Sequence, residues 1–226
     1  MRLDGPQKIT GKTQPRLQIR EGMSVEDVRK YGSDGQKLAA SLFDISAGGK
    51  KDANGKYLLK DGVFNKREAE YFNRFNFSVK DRSFTMYDKE SKQVTEIKYD
   101  NIEDLKKFLN ADVNKPETMI LFGKDGKSKL YVGTIGATDG KTTIDLTKHT
   151  VEFNGLTKGN VYTHGEKTTI KNSNVELISS SSKEVDIQNV KYKGVFGDQK
   201  TYVKINKNTR LKIDNNSKVD IERDDK

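Results

Sequence analysis

Three short apolar pairs near the end of the chain, Val203/Ile205, Leu211/Ile213 and Val219/Ile221, recur every eight residues, with Asn206, Asn208, Asn215 and Asn216 between them. Alternation with a period of two is a strand pattern, and asparagine tolerates the positive φ that tight corners need. A helix cannot make such spacing, because its apolar stripe returns every three or four residues. Val185/Ile187 carries the same pattern upstream, as does the string Thr169-Ile170-Lys171-Asn172-Ser173-Asn174-Val175-Glu176-Leu177. From Pro116 onward no helical periodicity is found. Residues 119–122 and 129–132 flank Asp125-Gly126, Asp139-Gly140 leads into 143–146, and 151–153 ends at Asn154-Gly155. Asp or Asn before glycine makes tight hairpins at little cost. Residues 117–226 therefore read as an all-β domain that opens as an antiparallel meander.

Before residue 110 the period is different. Ser24, with Asp27 three residues on, predicts a short capped helix that stops at Gly32. A second helix is expected over about 35–43, with Leu38, Ala39, Leu42 and Phe43 inward, and a third carries Ala69, Phe72 and Phe75 on one stripe. Residues 83–87 and 93–99 alternate like strands across the polar turn 88–92. Asp100 and Glu103 then cap a helix carrying Ile102, Leu105, Phe108 and Leu109. Residues 1–20, with Gly5, Pro6, Gly11 and Pro15, read as a flexible basic arm, and the loss of periodicity over 110–116 marks a boundary. The expected class is α+β: a small helical segment with a hairpin and a helix over 21–110, then the all-β domain.

Within that helical segment, Asp61-Gly62-Val63-Phe64-Asn65-Lys66-Arg67-Glu68 resembles the back half of an EF-hand calcium loop, with the flanking helices extending the likeness over about 34–75. The resemblance implies a calcium ion held by Asp44, Ser46, Asp61, the Val63 carbonyl and a bidentate Glu68. The front half is interrupted: the loop is about thirteen residues longer than the family's twelve. Asp52 and Asn54 within the insert are an alternative donor pair. Asn65 and Glu68 are also spaced as a helix capping box, which needs no metal. A vestigial or weak calcium loop is the expectation. The C-terminal pairs resemble the strand-and-corner pattern of right-handed parallel β-helices, a solenoid class. The same string also fits an antiparallel meander or sandwich in which Lys207-Asn208 and Asn215-Asn216 are two-residue turns, and no coil of constant length emerges between Gly155 and Glu222.

Composition narrows the chemistry. The 226 residues contain no cysteine, which excludes disulfides, cysteine nucleophiles and zinc–thiolate sites. Apolar residues make up 32% and charged residues 33%, with no run long enough to span a membrane. The first residues lack the apolar core of a signal peptide, which leaves cell-surface, secreted and cytoplasmic settings open. The net charge of +9 is dispersed, 22 basic against 17 acidic residues through 110 and 20 against 16 thereafter, which argues against nucleic acid. Gly136 to Thr142 has three residues between its glycines where a phosphate loop has four, and a strand follows it. His149 and His164 show no metal-ligand spacing, and no Gly-x-Ser-x-Gly elbow is present. Asp145, Glu152, Glu176, Glu184 and Asp186 are the acids that a polysaccharide lyase or hydrolase on a solenoid would draw on. The pattern points to a non-catalytic structural or interaction protein, plausibly a bacterial surface protein, offering its β face to a glycan or a protein. A carbohydrate-active enzyme and a calcium-responsive module are the alternatives.

Overall fold

The structure, a computed structural model, describes residues 16–42, 50–51, 57–58, 63–109, 118–122, 129–135 and 138–224. It is α+β, strand-rich with four short helices among the described residues. The chain forms two compact units, Met1–Glu90 and Ser91–Lys226.

In the first unit, α1 (Val25–Tyr31), α2 (Asp34–Leu42) and α3 (Lys66–Arg74) accompany a hairpin of β3 (Phe75–Lys80) and β4 (Ser83–Asp88), while β1 (Lys50–Lys51) and β2 (Tyr57–Leu58) pair within the insert. Capping starts two of the helices as their sequences require. The Ser24 hydroxyl accepts the Asp27 amide while the Asp27 carboxylate accepts the Ser24 amide. Asn65 and Glu68 do the same for α3. The stripe of α3 did not continue to Phe75, which opens β3. Phe75 stands at a helical spacing from Phe72 and at a strand's spacing from Phe77, so the pattern alone does not fix where the helix ends. Asp81 and Arg82, both at positive φ (47° and 60°), close the hairpin. Phe64, Phe72, Phe77 and Phe84 form a chain of rings with centroids 5.2–5.9 Å apart. At the hairpin's open end Arg74 grips Asp88 through two parallel bonds of 2.8 Å.

Residues 16–20, assigned by sequence to a flexible arm, are instead built into this unit. Leu17 and Ile19 bury their side chains, 6% and 2% exposed. Two side-chain amides hold their backbone: Gln36 accepts Leu17 N–H at 2.8 Å and donates to its carbonyl at 2.6 Å, and Asn73 does likewise to Ile19 at 2.9 and 2.7 Å. The rest of that arm, 1–15, lies outside the described residues.

In the second unit, β5 (Val94–Lys98) pairs in parallel with β8 (Lys141–Asp145), and α4 (Ile102–Leu109) packs beside β6 (Thr118–Phe122), which pairs antiparallel with β7 (Lys129–Ile135). β5, α4 and β6 all lie in the unit Ser91–Lys226. Asn101, one residue past the expected Asp100, accepts the Glu103 amide at the start of α4. The β8 to β9 (Thr150–Asn154) connection is an antiparallel hairpin, as the meander reading expects.

From β9 the chain alternates between two sheets. β9, β11 (Lys167–Asn174), β13 (Glu184–Gly194) and β16 (Arg210–Ile213) are parallel neighbours in one. β10 (Asn160–His164), β12 (Leu177–Ser180), β15 (Thr201–Asn206) and β17 (Val219–Asp224) are parallel neighbours in the other. Thr150 aligns with Lys167 and Lys167 with Glu184, a step of seventeen. The next steps lengthen to twenty-six at Glu184↔Arg210 and twenty-five at Leu177↔Tyr202, because β13 runs on and doubles back as β14 (Gly197–Gln199). The eight-residue sequence spacing is the step from one sheet to the other. Lys207-Asn208 and Asn215-Asn216 therefore close no hairpin, and Asp139-Gly140 and Asn154-Gly155 also turn the chain between sheets. Asp139, Gly140 and Gly155 are left-handed, a conformation that serves a corner as readily as a hairpin, so those dipeptides alone do not distinguish the two. Gly140, at φ 84°, is required sterically, since a Cβ there would stand 2.7 Å from the Asn154 carbonyl oxygen.

Inward positions stack in register: Val161, Ile178 and Val203 in one sheet, and Phe153, Ile170 and Ile187 in the other, all fully buried. Between the sheets, buried hydroxyls satisfy one another. Thr163 donates to Ser180 at 2.7 Å, Thr168 donates to Thr163 at 2.8 Å, and Thr168 lies 2.6 Å from Ser182. At one corner runs a column of amides. Asn189 Nδ2 donates to Asn172 Oδ1 at 2.9 Å and Asn172 Nδ2 to Asn154 Oδ1 at 3.2 Å, with Asn172 and Asn189 both at φ 49°. Asp214 continues the column, accepting the Asn189 N–H on both oxygens at 3.1 and 3.0 Å.

Two outcomes follow from this packing. Gly35 of α2 lies so close to β3 that a Cβ there would overlap the Phe77 carbonyl. Gly35→Ala, favourable by helix propensity, is expected to lower the denaturant midpoint by the equivalent of about 1–3 kcal/mol. The Asp214 carboxyl is held below the ordinary aspartate range by the Ser217 hydroxyl first, and by the amides of Asn189, Ser217 and Asn216. Its contribution to stability is complete above about pH 4, the unfolded value, and is lost as pH falls through the lower folded one. Thermal melts in that acid window should show a shallower pH slope for Asp214→Asn than for the wild type.

Candidate functional site

The residues singled out for calcium are partly visible. Asp44, Ser46 and Asp61 lie outside the described residues, as do Asp52 and Asn54. Val63 and Glu68 are described. Val63 forms an antiparallel bridge with Ser24, flanked by Gly22 N–H donating to the Phe64 carbonyl at 2.8 Å and Phe64 N–H to the Met23 carbonyl at 2.7 Å. Glu68 is 2% exposed, and its Oε1 accepts the Asn65 amide at 3.0 Å. The Glu68 contact is that of a helix cap. Among the described residues no group of three or more His, Cys, Asp or Glu is placed to hold an ion.

Several acids of the second unit are engaged by neighbours. Glu152 pairs with Lys171 at 3.2 Å, and Glu184 pairs with Arg210 at 2.8 Å and Lys167 at 3.8 Å. Asp145 accepts the amides of Thr147 and Lys148 in a turn, and Glu176 is exposed. Asp186 Oδ2 accepts from Gln188, while its Oδ1 is buried without a hydrogen-bond partner among the described residues. Register puts Glu152, Thr169 and Asp186 in one outward column, so the two acids lie two strands apart, about 10 Å.

The histidines are apart too. His149 sits in the β8–β9 turn at φ 56°. His164 Nδ1 lies 2.8 Å from Ser181 Oγ, which is a nucleophile–base distance. The adjoining amides are not free to stabilise an oxyanion: Ser181 N–H donates to the Thr163 carbonyl and Ser182 N–H to Ser180 Oγ. The contact lies beside a depression that Ser181 also lines.

That depression is a feature the sequence did not announce. It is open, about 210 Å³, on the outer face of β10, β12, β15 and β17, and its outward rim is Tyr162, Ser179, Ser181, Lys204, Asn206 and Asp224. Its shape follows from register. Tyr162, Ser179 and Lys204 occupy one row, so a small serine lies between two long side chains. Asn206 and Asp224 are partners in the next row. In the row on the other side, Leu177 aligns with both Asn160 and Tyr202. Tyr202 is 37% exposed, and it lies two strands and two residues from Tyr162, roughly 12 Å away. Asn160 Oδ1 is buried and unpartnered among the described residues. Knowing the seventeen-residue step would have exposed this set, because it alone assigns Tyr162, Ser179 and Lys204 to neighbouring strands.

No family model, no curated protein and no solved structure matches the chain. No described helix is long and apolar enough to cross a membrane.

The cap at Asn65 is open to measurement. Asn65→Ala should cost about 1 kcal/mol in chemical denaturation, equally with calcium and with chelator, while Glu68→Gln, which retains an oxygen for the Asn65 amide, should cost less. A melting temperature that rises with calcium in the wild type but not in Glu68→Gln would instead assign Glu68 to a metal.

Proposed function

We propose that the protein is a non-catalytic binding protein that takes a carbohydrate chain along the outer face of β10, β12, β15 and β17, displayed on a short parallel β-solenoid. The observation that carries this is the depression, with a tyrosine at one side, a second tyrosine two strands away and hydroxyl, amide, ammonium and carboxylate groups between and beside them. Sugars present apolar ring faces that stack on aromatic rings, and hydroxyls that both donate and accept. Such a mixed rim matches both needs. The solenoid reading is supported by the parallel register at seventeen-residue steps and by the amide column at the corner. Strands stacked about 4.8 Å apart repeat a binding row at nearly the rise of an extended sugar chain. In the same proposal the loop of residues 44–68 is a vestigial or weak calcium site, as the use of Glu68 Oε1 in capping favours.

One observation favours a second reading, a carbohydrate-active enzyme: Glu152 and Asp186 flank Thr169 at a separation near that of inverting glycosidases. The ion pair of Glu152 with Lys171 weighs against it, since it occupies one of the two carboxylates.

Affinity electrophoresis in gels carrying soluble polysaccharides decides between these. At least one glycan should retard the wild type, and Tyr162→Ala and Tyr202→Ala should each weaken retardation about tenfold without altering the melting temperature. If no glycan retards the protein, the carbohydrate reading fails. Release of reducing ends that is lost in Glu152→Gln would establish the enzyme.

A further inference from the structure

The hairpin between β13 and β14 breaks the regularity of the second unit in a specific way. It adds eight or nine residues to a seventeen-residue step, and the addition ends in two apolar side chains with nothing against them. Val195 and Phe196, the two-residue turn, are 94% and 93% exposed. Gly197, at φ 102°, closes the turn, with Gly194↔Gly197, Lys193↔Asp198 and Tyr192↔Gln199 as the stem. The Tyr192 ring lies over Gly194, where an added Cβ would come within 2.9 Å of it, so a second aromatic leans toward the tip.

The stem is fixed to the body. Lys193 N–H donates to Asn174 Oδ1 at 2.7 Å, and Thr201, fully buried, donates its hydroxyl to the Val175 carbonyl at 2.8 Å. Lys191, Lys193 and Lys200 are exposed around the stem, no ion pair among the described residues engages them, and Asp198 is the hairpin's one acid.

We propose that this hairpin anchors the protein to an anionic lipid bilayer, with Val195 and Phe196 entering the acyl boundary and Lys191, Lys193 and Lys200 at the headgroups. An apolar tip above a cationic collar is the arrangement that an interface of this kind selects. A protein partner fits less well. Lysine is depleted at protein interfaces, and a convex two-residue tip supplies little of the roughly 800 Å² per side that a stable one buries. A bilayer demands neither area nor shape complementarity, and the preformed stem means that little ordering is needed on insertion.

The chain contains no tryptophan, so Phe196→Trp makes a single reporter at the tip. With vesicles of phosphatidylcholine containing one-third phosphatidylserine, its emission should shift to the blue and be quenched by brominated acyl chains. Pure phosphatidylcholine should give little effect, and high salt should reverse the shift. In co-sedimentation with the anionic vesicles, the double variant Val195→Ser/Phe196→Ser should bind at least tenfold more weakly than wild type. Each of Lys191→Gln, Lys193→Gln and Lys200→Gln should lose about fivefold. Unchanged far-ultraviolet circular dichroism would show that these surface variants remain folded. Emission unmoved by anionic vesicles overturns the proposal, as does vesicle binding undiminished in the double serine variant, which would leave only diffuse charge. A blue shift that grows with protein concentration and needs no lipid assigns the tip to a second copy of the chain and also overturns it.

Discussion

The amide column of Asn154, Asn172, Asn189 and Asp214 is the constraint from which the second unit's register follows. Asn172 and Asn189 both adopt the left-handed conformation at φ 49°, which asparagine enters more easily than other residues with a side chain. Each bends its strand at the same level and spends its side chain on the layer before it. A slip of one residue would break these bonds. It would also turn Val185 and Ile187 outward and Asp186 inward, because side chains alternate strictly along a strand. The column and the inward apolar stack therefore specify one alignment twice over. Asp214 ends the series with a carboxylate in place of an amide, and it recruits Ser217 and three backbone N–H groups.

The first unit solves a related problem with fewer residues. An extended segment with no strand beside it leaves backbone N–H and C=O groups to satisfy. Gln36 and Asn73, one from α2 and one from α3, act as substitute strands, each giving one acceptor and one donor to a single residue of the segment 16–20. Leu17 and Ile19 are thereby buried, and Gln36, a polar residue only 1% exposed, has its amide oxygen and nitrogen satisfied. The aromatic chain supplies the apolar mass, and the paired side-chain amides set where the segment lies.

Legibility in the sequence tracked how local the physics is. The capping boxes at Ser24/Asp27 and Asn65/Glu68 were readable because both partners lie within one turn. The α+β class and the strand-rich C-terminal portion were readable from periodicity. What could not be read depended on distant partners. The segment 16–20 seemed unattached because its partners are 19 and 54 residues away. The seventeen-residue step was hidden by the β13–β14 insertion and by hydroxyls at inward positions. Thr163, Thr168, Ser180 and Ser182 look like surface residues in a sequence, yet they bury together because they satisfy one another. The candidate site was invisible for the same reason: Tyr162, Ser179 and Lys204 are neighbours only through register. In the EF-hand-like stretch Glu68 fits both the last position of a calcium loop and the third position of a helix cap, and its described bond is that of the cap.

A frame of stacked parallel strands makes chemistry by departing from its own repetition. Where each layer adds the same step, the outer face is a plain of alternating charges whose ion pairs neutralise one another, as Lys171 with Glu152 and Lys183 with Glu166 do. Such pairs are solvated and contribute little to stability or recognition. The two places for which binding is proposed are local exceptions. One is a serine where its row-mates are tyrosine and lysine, which opens a depression without moving the backbone. The other is an inserted hairpin that leaves the stack, turns at Val195-Phe196 and rejoins in register at Thr201. Because the inward columns resume unchanged at Val203 and Ile205, the core bears almost none of the cost of that insertion. Loop-closure entropy also rises slowly with length. The stack can therefore carry a protruding apolar tip that a more interlocked core would not tolerate, because the inward columns on either side of the insertion keep their register.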